Sequence, residues 1–174
     1  FSSIGVPVCV VEMESEICPA VDSEIAKLLR QALIKRGVEF HLAAKVESIT
    51  DQKVQITTSD GLKTIDRDLV LVSTGRVPNV ENLGLDQLGI DYDKRGIRIN
   101  EHCATNVPGV WAAGDITGKT WLAHAGSRMG EVVVHHLTGR PDRMRYHTIA
   151  GVIYTTPEVA TVGWTEAEAR EPFW

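Results

Sequence analysis

Apolar positions along the chain switch between three patterns, and each predicts an element. Val8-Cys9-Val10-Val11 is a continuous apolar run, the mark of a parallel strand buried on both faces. Residues 12–21 carry Pro19 and read as a loop. From Asp22 to about Arg36 the apolar residues Ile25, Leu28, Leu29, Ala32 and Leu33 recur at helical spacing, which predicts one inward stripe. Gly37 is placed to end that helix in the left-handed conformation, and Lys35 and Arg36 suit the negative end of its dipole. Residues 38–42 return as a strand, so 8–42 form a strand-helix-strand unit, the element that builds parallel sheets. Short β pieces follow at 45–49, 54–58 and 62–65, with Asp60-Gly61 as a hairpin signal; they predict a small antiparallel insert. Residues 69–72 resume the buried-strand pattern and lead into Ser73-Thr74-Gly75.

Pro78-Asn79 marks a break, and 80–104 are loop-rich. A strand is predicted over 110–113, ending abruptly in Gly114-Asp115. Trp121-Leu122-Ala123-His124 then opens an alanine- and glycine-rich helix over about 125–137, which Gly139-Arg140-Pro141 closes. Beyond Arg143, strands are predicted over 149–154 and 159–163, around Thr156-Pro157-Glu158. Thr165-Glu166-Ala167-Glu168 is a capping-box start to a helix that Pro172 interrupts.

Composition narrows the classes. The 174 residues are 43% hydrophobic and 24% charged, as in an ordinary globular chain. A net charge of −5 argues against nucleic-acid or membrane-surface binding. No apolar run approaches the roughly 18 residues of a membrane span, and no secretory signal is visible. The chain opens on Phe1 in mid-pattern, so it is expected to be a piece of a longer protein. Cys9, Cys18 and Cys103 are odd in number and match no metal spacing, so no metal is expected. Cys9 reads as a small thiol buried in its strand, and Cys18 and Cys103 as loop residues. A reducing cytoplasm is the default compartment.

Two points look like nucleotide sites. Glu12 follows the first strand, where dinucleotide-binding folds place an acid that accepts hydrogen bonds from the adenosine ribose. On its own such an acid also fits a solvated loop position. With no arginine beside it, its carboxylate favours NAD, since a 2′-phosphate would be repelled. Asp115 lies just past the carboxyl end of a predicted strand, where open α/β sheets bind ligands. Gly114 lets backbone approach a ligand closely, and the helix that follows offers free N–H groups. Gly75, after a third apolar run, offers a similar close approach.

In order, the chain reads Val-Val-Glu, Gly-Arg-x-Pro-Asn, Ala-Gly-Asp, Leu-Ala-His and Tyr-Thr-x-Pro-Glu. This ordered set covers nearly the whole chain. It resembles the class I pyridine nucleotide-disulfide oxidoreductases, and within them the dihydrolipoamide dehydrogenase branch, chiefly through Trp121-Leu122-Ala123-His124, where the family usually has Met-Leu-Ala-His. The resemblance implies an α/β fold: a partial Rossmann-like FAD/NAD(P)-binding fold with an antiparallel β insert, then the start of an α+β dimerisation domain. It implies residues 1–77 as part of the NAD-binding domain, 78–143 as the C-terminal segment of the FAD-binding domain, and 144–174 as the start of the interface domain. It also implies that Glu12 and Gly75 contact NAD and that Val46 lines the adenine pocket. Asp115 would bond the FAD ribityl or pyrophosphate region. Trp121, Leu122, Ala123 and His124 would lie along the flavin. The family's enzymes are homodimers, and a dihydrolipoamide dehydrogenase acts on a lipoyl-bearing protein.

Other family parts are absent from these residues. There is no Cys-x4-Cys pair and no glycine fingerprint, and His124 does not match the catalytic histidine, so no catalytic residue is assigned and the chain alone is expected to be inactive. The edge of the parallel sheet and the strands near Val152 and Val159 are expected to lack partners. His135 and His136 read as packing or solvated residues, and His41, His102 and His147 have no partner that sequence identifies. Two other readings stay open: another class I reductase (glutathione, mercuric or transhydrogenase-type), and a nucleotide-binding module with no enzymatic role.

Overall fold

The strand-helix-strand unit expected over residues 8–42 is present in the computed structural model, which describes residues 1–170. Strand β1 (Cys9–Val11) runs parallel to β2 (Glu39–His41), with Cys9 opposite Glu39 and Val11 opposite His41. Helix α1 (Ser23–Ile34) connects them. Gly37, at φ 84°, ends α1 as the glycine pattern predicts. Its N–H donates to the Ile34 carbonyl at 2.9 Å, and the Val38 N–H donates to Leu33 at 3.1 Å, which together make a Schellman motif.

The inward face of α1 differs from the predicted stripe. Leu29 is buried and Leu33 half-buried, against Ile17, Phe40, Leu42 and Val159. Ala26 is buried, whereas Ile25 and Leu28 are exposed. A single contact face admits Ala26, Leu29 and Leu33 at i, i+3, i+7 and turns the flank away. Burial of Leu29 contributes about 2 kcal/mol.

The antiparallel insert is present as β3 (Lys45–Ile49), β4 (Lys53–Thr58) and β5 (Gly61–Asp66), in that spatial order. Val54, Ile56 and Ile65 pack inward with Ala44, and Cys9 and Val11 of β1 lie against them. The hairpin turn falls one residue earlier than predicted. Thr58 pairs with Gly61, so the loop is Ser59-Asp60, and the Thr58 hydroxyl holds it by accepting the Asp60 N–H at 3.2 Å.

Two predicted strands are not formed. Residues 69–72 make no ladder, and Leu69 and Leu71 are 91% and 75% exposed. An apolar run of this kind needs a hydrogen-bonded neighbour on each side. The parallel sheet among the described residues has only β1 and β2. Residues 110–113 likewise make one antiparallel bridge, Trp111 to Ala104, and no strand. The reverse holds at the C-terminal end. The strands expected to be unpartnered, β8 (Gly151–Ile153) and β9 (Val159–Thr161), pair with each other. Helix α4 (Glu166–Arg170) starts with the expected capping box: the Glu168 N–H donates to Thr165 Oγ1 at 3.2 Å, and Glu168 Oε2 accepts the Thr165 N–H at 2.8 Å. Pro172 lies outside the described residues. Asp22, placed to cap α1, accepts the Glu166 N–H instead, at 2.8 Å.

The chain divides into two units, Phe1–Ser73 with the segment from Val152 onward, and Thr74–Gly151. The second unit holds α2 (Leu85–Leu88), β6 (Tyr92–Asp93), β7 (Gly96–Ile97) and α3 (Ala123–Leu137). One core there gathers Leu85, Ile90, Ile97 and Ala112; another gathers Cys103, Met129, Val132 and Met144. Two glycines lock β7 to the turn over Asp115–Thr117. A Cβ on Gly118 would lie 1.8 Å from the Arg95 carbonyl oxygen, and one on Gly96 would lie 2.5 Å from that of Ile116.

Candidate functional site

In the first unit, Glu12 follows β1 directly, at the carboxyl end of the parallel pair. Its N–H donates to the His41 carbonyl, and its own carbonyl accepts the Ala44 N–H, both at 2.9 Å. The loop after β2 is thereby stitched to the residue that carries the acid. Glu12 Oε1 accepts the Glu14 N–H at 3.0 Å, and Oε2 has no partner among the described residues. Val46, two residues beyond Ala44, belongs to the same end and is 40% exposed. Gly75 belongs to the other unit. It has φ 112°, and a Cβ there would meet no atom within 4 Å.

In the second unit the sequence-predicted residues converge on the start of α3. Gly114 (φ 83°) turns the chain before Asp115. Its N–H points to Met129 Sδ at 3.4 Å. A Cβ on Gly126, in the first turns of α3, would approach Gly114 Cα to 3.4 Å. The Gly114-Asp115 corner thus rests on the helix at van der Waals distance. A Cβ on Gly114 itself would meet nothing within 4 Å, so the outer side of this corner is open. Thr117, 3% exposed, ties the turn by donating its hydroxyl to the Gly114 carbonyl at 2.8 Å. The Asp115 carboxylate is exposed and has no side-chain partner among the described residues. Leu122 is the N-cap of α3 and supplies no side-chain cap, and the first turn contains no acid. The first-turn N–H groups are left for an external acceptor. Trp121 is 36% exposed. His124 Nε2–H donates to the Ala150 carbonyl at 2.9 Å, which fixes the ring.

Sequence reasoning missed Gly96, Gly118, Thr117 and Gly126, which hold this corner in place. The glycines' only sequence signal was their density, which does not say which glycine meets which backbone, and Thr117 carried none. It also missed Asp142. This carboxylate accepts hydrogen bonds from Arg128 Nη2 and His135 Nδ1, each at 2.6 Å, and from the Arg143 N–H at 2.8 Å. His102 Nδ1–H donates to the Asp142 carbonyl at 2.8 Å. His136 stacks on His102 with centroids 4.9 Å apart. His135 is therefore a partner of Asp142 and neither a packing nor a solvated residue, whereas His136 is exposed and stacked on His102. A hollow of about 570 Å³ lined by His102, Arg128, Asp142, Arg143 and Arg145 lies beside this hub, away from the Gly114-Asp115 corner. Cys103 lies in a loop, as expected, but is fully buried there, and burial pushes its thiol pKa up to about 11.

The Arg128 guanidinium, then the His135 ring, hold the Asp142 carboxyl well below the usual carboxylate range. A depressed carboxyl adds stability above its unfolded value, near 3.9, and that stability is lost as pH falls toward the folded value. Asp142→Asn is expected to lower the melting temperature at neutral pH by several degrees and to flatten its fall below about pH 4. Melting curves across pH check this; an unchanged acid limb would show that the hub contributes nothing.

Among the described residues no helix is long and apolar enough to cross a membrane. A family model described as pyridine nucleotide-disulphide oxidoreductase matches residues 1–130. The dihydrolipoyl dehydrogenase of Cupriavidus necator is 40% identical over 96% of this chain and 36% of its own length. The leghemoglobin reductase of Glycine max is 40% identical over 97% of the chain and 34% of its own length. Among solved structures, LpdA from Mycobacterium tuberculosis superposes with a TM-score of 0.85 at 31% identity, covering 95% of this chain and 37% of that one. The HOCl-induced flavoprotein disulfide reductase RclA from Escherichia coli superposes with a TM-score of 0.83 at 26% identity, over 99% and 40% respectively. The chain spans about a third of the length of the curated relatives it matches.

Proposed function

Because the chain belongs to the pyridine nucleotide-disulphide oxidoreductase family, we propose that it supplies part of two nucleotide sites in a dihydrolipoamide dehydrogenase, one for NAD and one for FAD. The observation that carries this is the Gly114-Asp115 corner, open on its outer side and seated on the uncapped start of α3. An exposed carboxylate beside free helix N–H groups suits a ligand with both hydroxyl and carbonyl or anionic groups, as a flavin dinucleotide has. The donor set fits the cofactor that the family implies.

Each residue then has a stated task. Asp115 accepts a hydrogen bond from the ribityl or pyrophosphate region. Trp121, Leu122, Ala123 and His124 lie along the flavin, with backbone N–H groups toward the pyrimidine end. Glu12 accepts the adenosine ribose hydroxyls of NAD through its free oxygen, Val46 lines the adenine, and Gly75 admits the dinucleotide close to backbone. Bound flavin supplies the redox chemistry, taking electrons that originate in dihydrolipoamide and passing hydride to NAD; the protein positions both nucleotides. We assign no catalytic residue within this chain. Residues 1–77, 78–143 and 144–174 correspond in this reading to parts of the NAD-binding, FAD-binding and dimerisation domains. The whole protein is a cytoplasmic homodimer that meets a lipoyl-bearing protein. In that protein a further strand beside residues 69–72 gives this apolar run the neighbour it needs as a central strand.

The test is NAD-dependent oxidation of dihydrolipoamide by the whole protein. Glu12→Ala removes a charged acceptor, a loss of about 1.5–3 kcal/mol, so the KM for NAD is expected to rise about tenfold or more with flavin content unchanged. Absence of activity toward dihydrolipoamide, together with activity toward another disulfide, would shift the assignment to a different reductase of the family. An unchanged KM for NAD in the variant would remove Glu12 from the site.

A further inference from the structure

We propose that Cys9, Glu39 and His41 form a binding site for one Zn²⁺ ion, next to Glu12 on the same pair of strands and independent of the activity proposed above. The three residues come from two strands. In the parallel register Cys9 lies opposite Glu39, and His41 is two residues further along β2. Side chains alternate across a sheet, so all three project from one face of β1 and β2. One ligand atom from each lies within 4.8 Å of the others. In a tetrahedral zinc site with ordinary bond lengths, ligand atoms are roughly 3.5 Å apart. Closing the present cluster onto a metal therefore takes side-chain adjustments of about 1 Å, with the strands left in place.

The donor chemistry selects the metal. A thiolate, an imidazole and a carboxylate together suit Zn²⁺; magnesium and calcium prefer oxygen alone. Three protein ligands leave the fourth tetrahedral position to water. Cys9 and Glu39 contribute two negative charges when the thiol is ionised, matching the charge of the ion.

Two cations surround the cluster and decide how tightly it binds. Arg67 Nη2 donates to Glu39 Oε2 at 2.8 Å and interacts with Cys9; Lys63 lies near His41. The Arg67 guanidinium occupies the carboxylate that the metal needs, so it competes with the ion. Metal binding displaces Arg67 from Glu39 and releases the Cys9 thiol proton. Cys18 and Cys103 belong to other clusters and take no part.

Titration of the purified chain with Zn²⁺, followed by calorimetry, is expected to give one ion per chain, removable by a chelator. Co²⁺ as a probe is expected to give a thiolate-to-cobalt charge-transfer band, a readout that needs no variant. Cys9→Ser and His41→Asn should each weaken zinc binding by about 100-fold or more, while a Cys18→Ser, Cys103→Ser double variant should bind unchanged. Arg67→Gln, by removing the competitor, should tighten binding several-fold, a gain that a damaged fold does not mimic. Zinc affinity that survives Cys9→Ser or His41→Asn, absence of the cobalt band, or weaker binding in Arg67→Gln would each overturn the proposal.

Discussion

Gly118→Ala is expected to unfold the Thr74–Gly151 unit at temperatures where the unaltered chain is folded. Gly118 has φ 61°, a left-handed value that costs a side chain about 1–2 kcal/mol. The larger cost is steric. The new methyl would lie 1.8 Å from the Arg95 carbonyl oxygen and 2.9 Å from its carbon. Both are backbone atoms, and Arg95 leads directly into β7 (Gly96–Ile97). Moving them breaks the reciprocal contact at Gly96 and opens the core around Ile97 and Ala112. The combined loss is on the order of 4 kcal/mol, a large share of the roughly 5–15 kcal/mol that holds a domain. Gly139→Ala is the control. Gly139 has φ 70° with nothing within 4 Å of a built Cβ, so it carries the conformational cost without the collision. Urea titrations of the two variants separate the terms, and equal midpoints would show that the interlock adds nothing.

Asp115→Ala is expected to release flavin from the whole protein. The substitution leaves the Gly114 turn, the Thr117 hydroxyl bond and the α3 seat untouched, because none of them uses the Asp115 side chain. It removes one charged acceptor at an open corner. Such bonds are worth about 1.5–3 kcal/mol, so the flavin dissociation constant should rise about tenfold to a hundredfold. Asp115→Asn keeps a carbonyl acceptor and should lose less. Flavin absorbance after gel filtration measures both variants. Retention of full flavin by the alanine variant would take Asp115 out of the cofactor site, with the fold as described.

Local chemistry was the legible part of this chain. Gly37 announced the end of α1, Thr165 and Glu168 announced the start of α4, and the short β pieces around Asp60-Gly61 announced the antiparallel insert. In each case the residues that decide the geometry are within a few positions of one another. The α/β class and the family followed from the order of short motifs. Strands that depend on distant neighbours did not follow. Residues 69–72 and 110–113 have the composition of buried strands, but a ladder needs a second chain segment, and the apolar pattern does not say whether one is paired. The stripe on α1 was read too widely for a related reason: Ile25 and Leu28 are apolar, yet the contacting surface accepts only the Ala26, Leu29 and Leu33 flank. The locking contacts of Gly96 with Ile116 and Gly118 with Arg95 were hidden because glycine marks a permissive backbone without naming the atoms that crowd it. Cys9, Glu39 and His41 formed no motif because parallel register, not spacing, brings them together.

The bond between Asp22 and the Glu166 N–H joins residues 144 positions apart, and Val159 covers Leu29 across a similar span. During synthesis, α1 leaves the ribosome long before the segment that shields it is made. Closing so long a loop costs more entropy than a local contact does. The nascent chain therefore carries Leu29 with only its local neighbours Ile17, Phe40 and Leu42 for cover through translation of the entire second unit, an interval in which a chaperone that grips apolar surface has its opportunity.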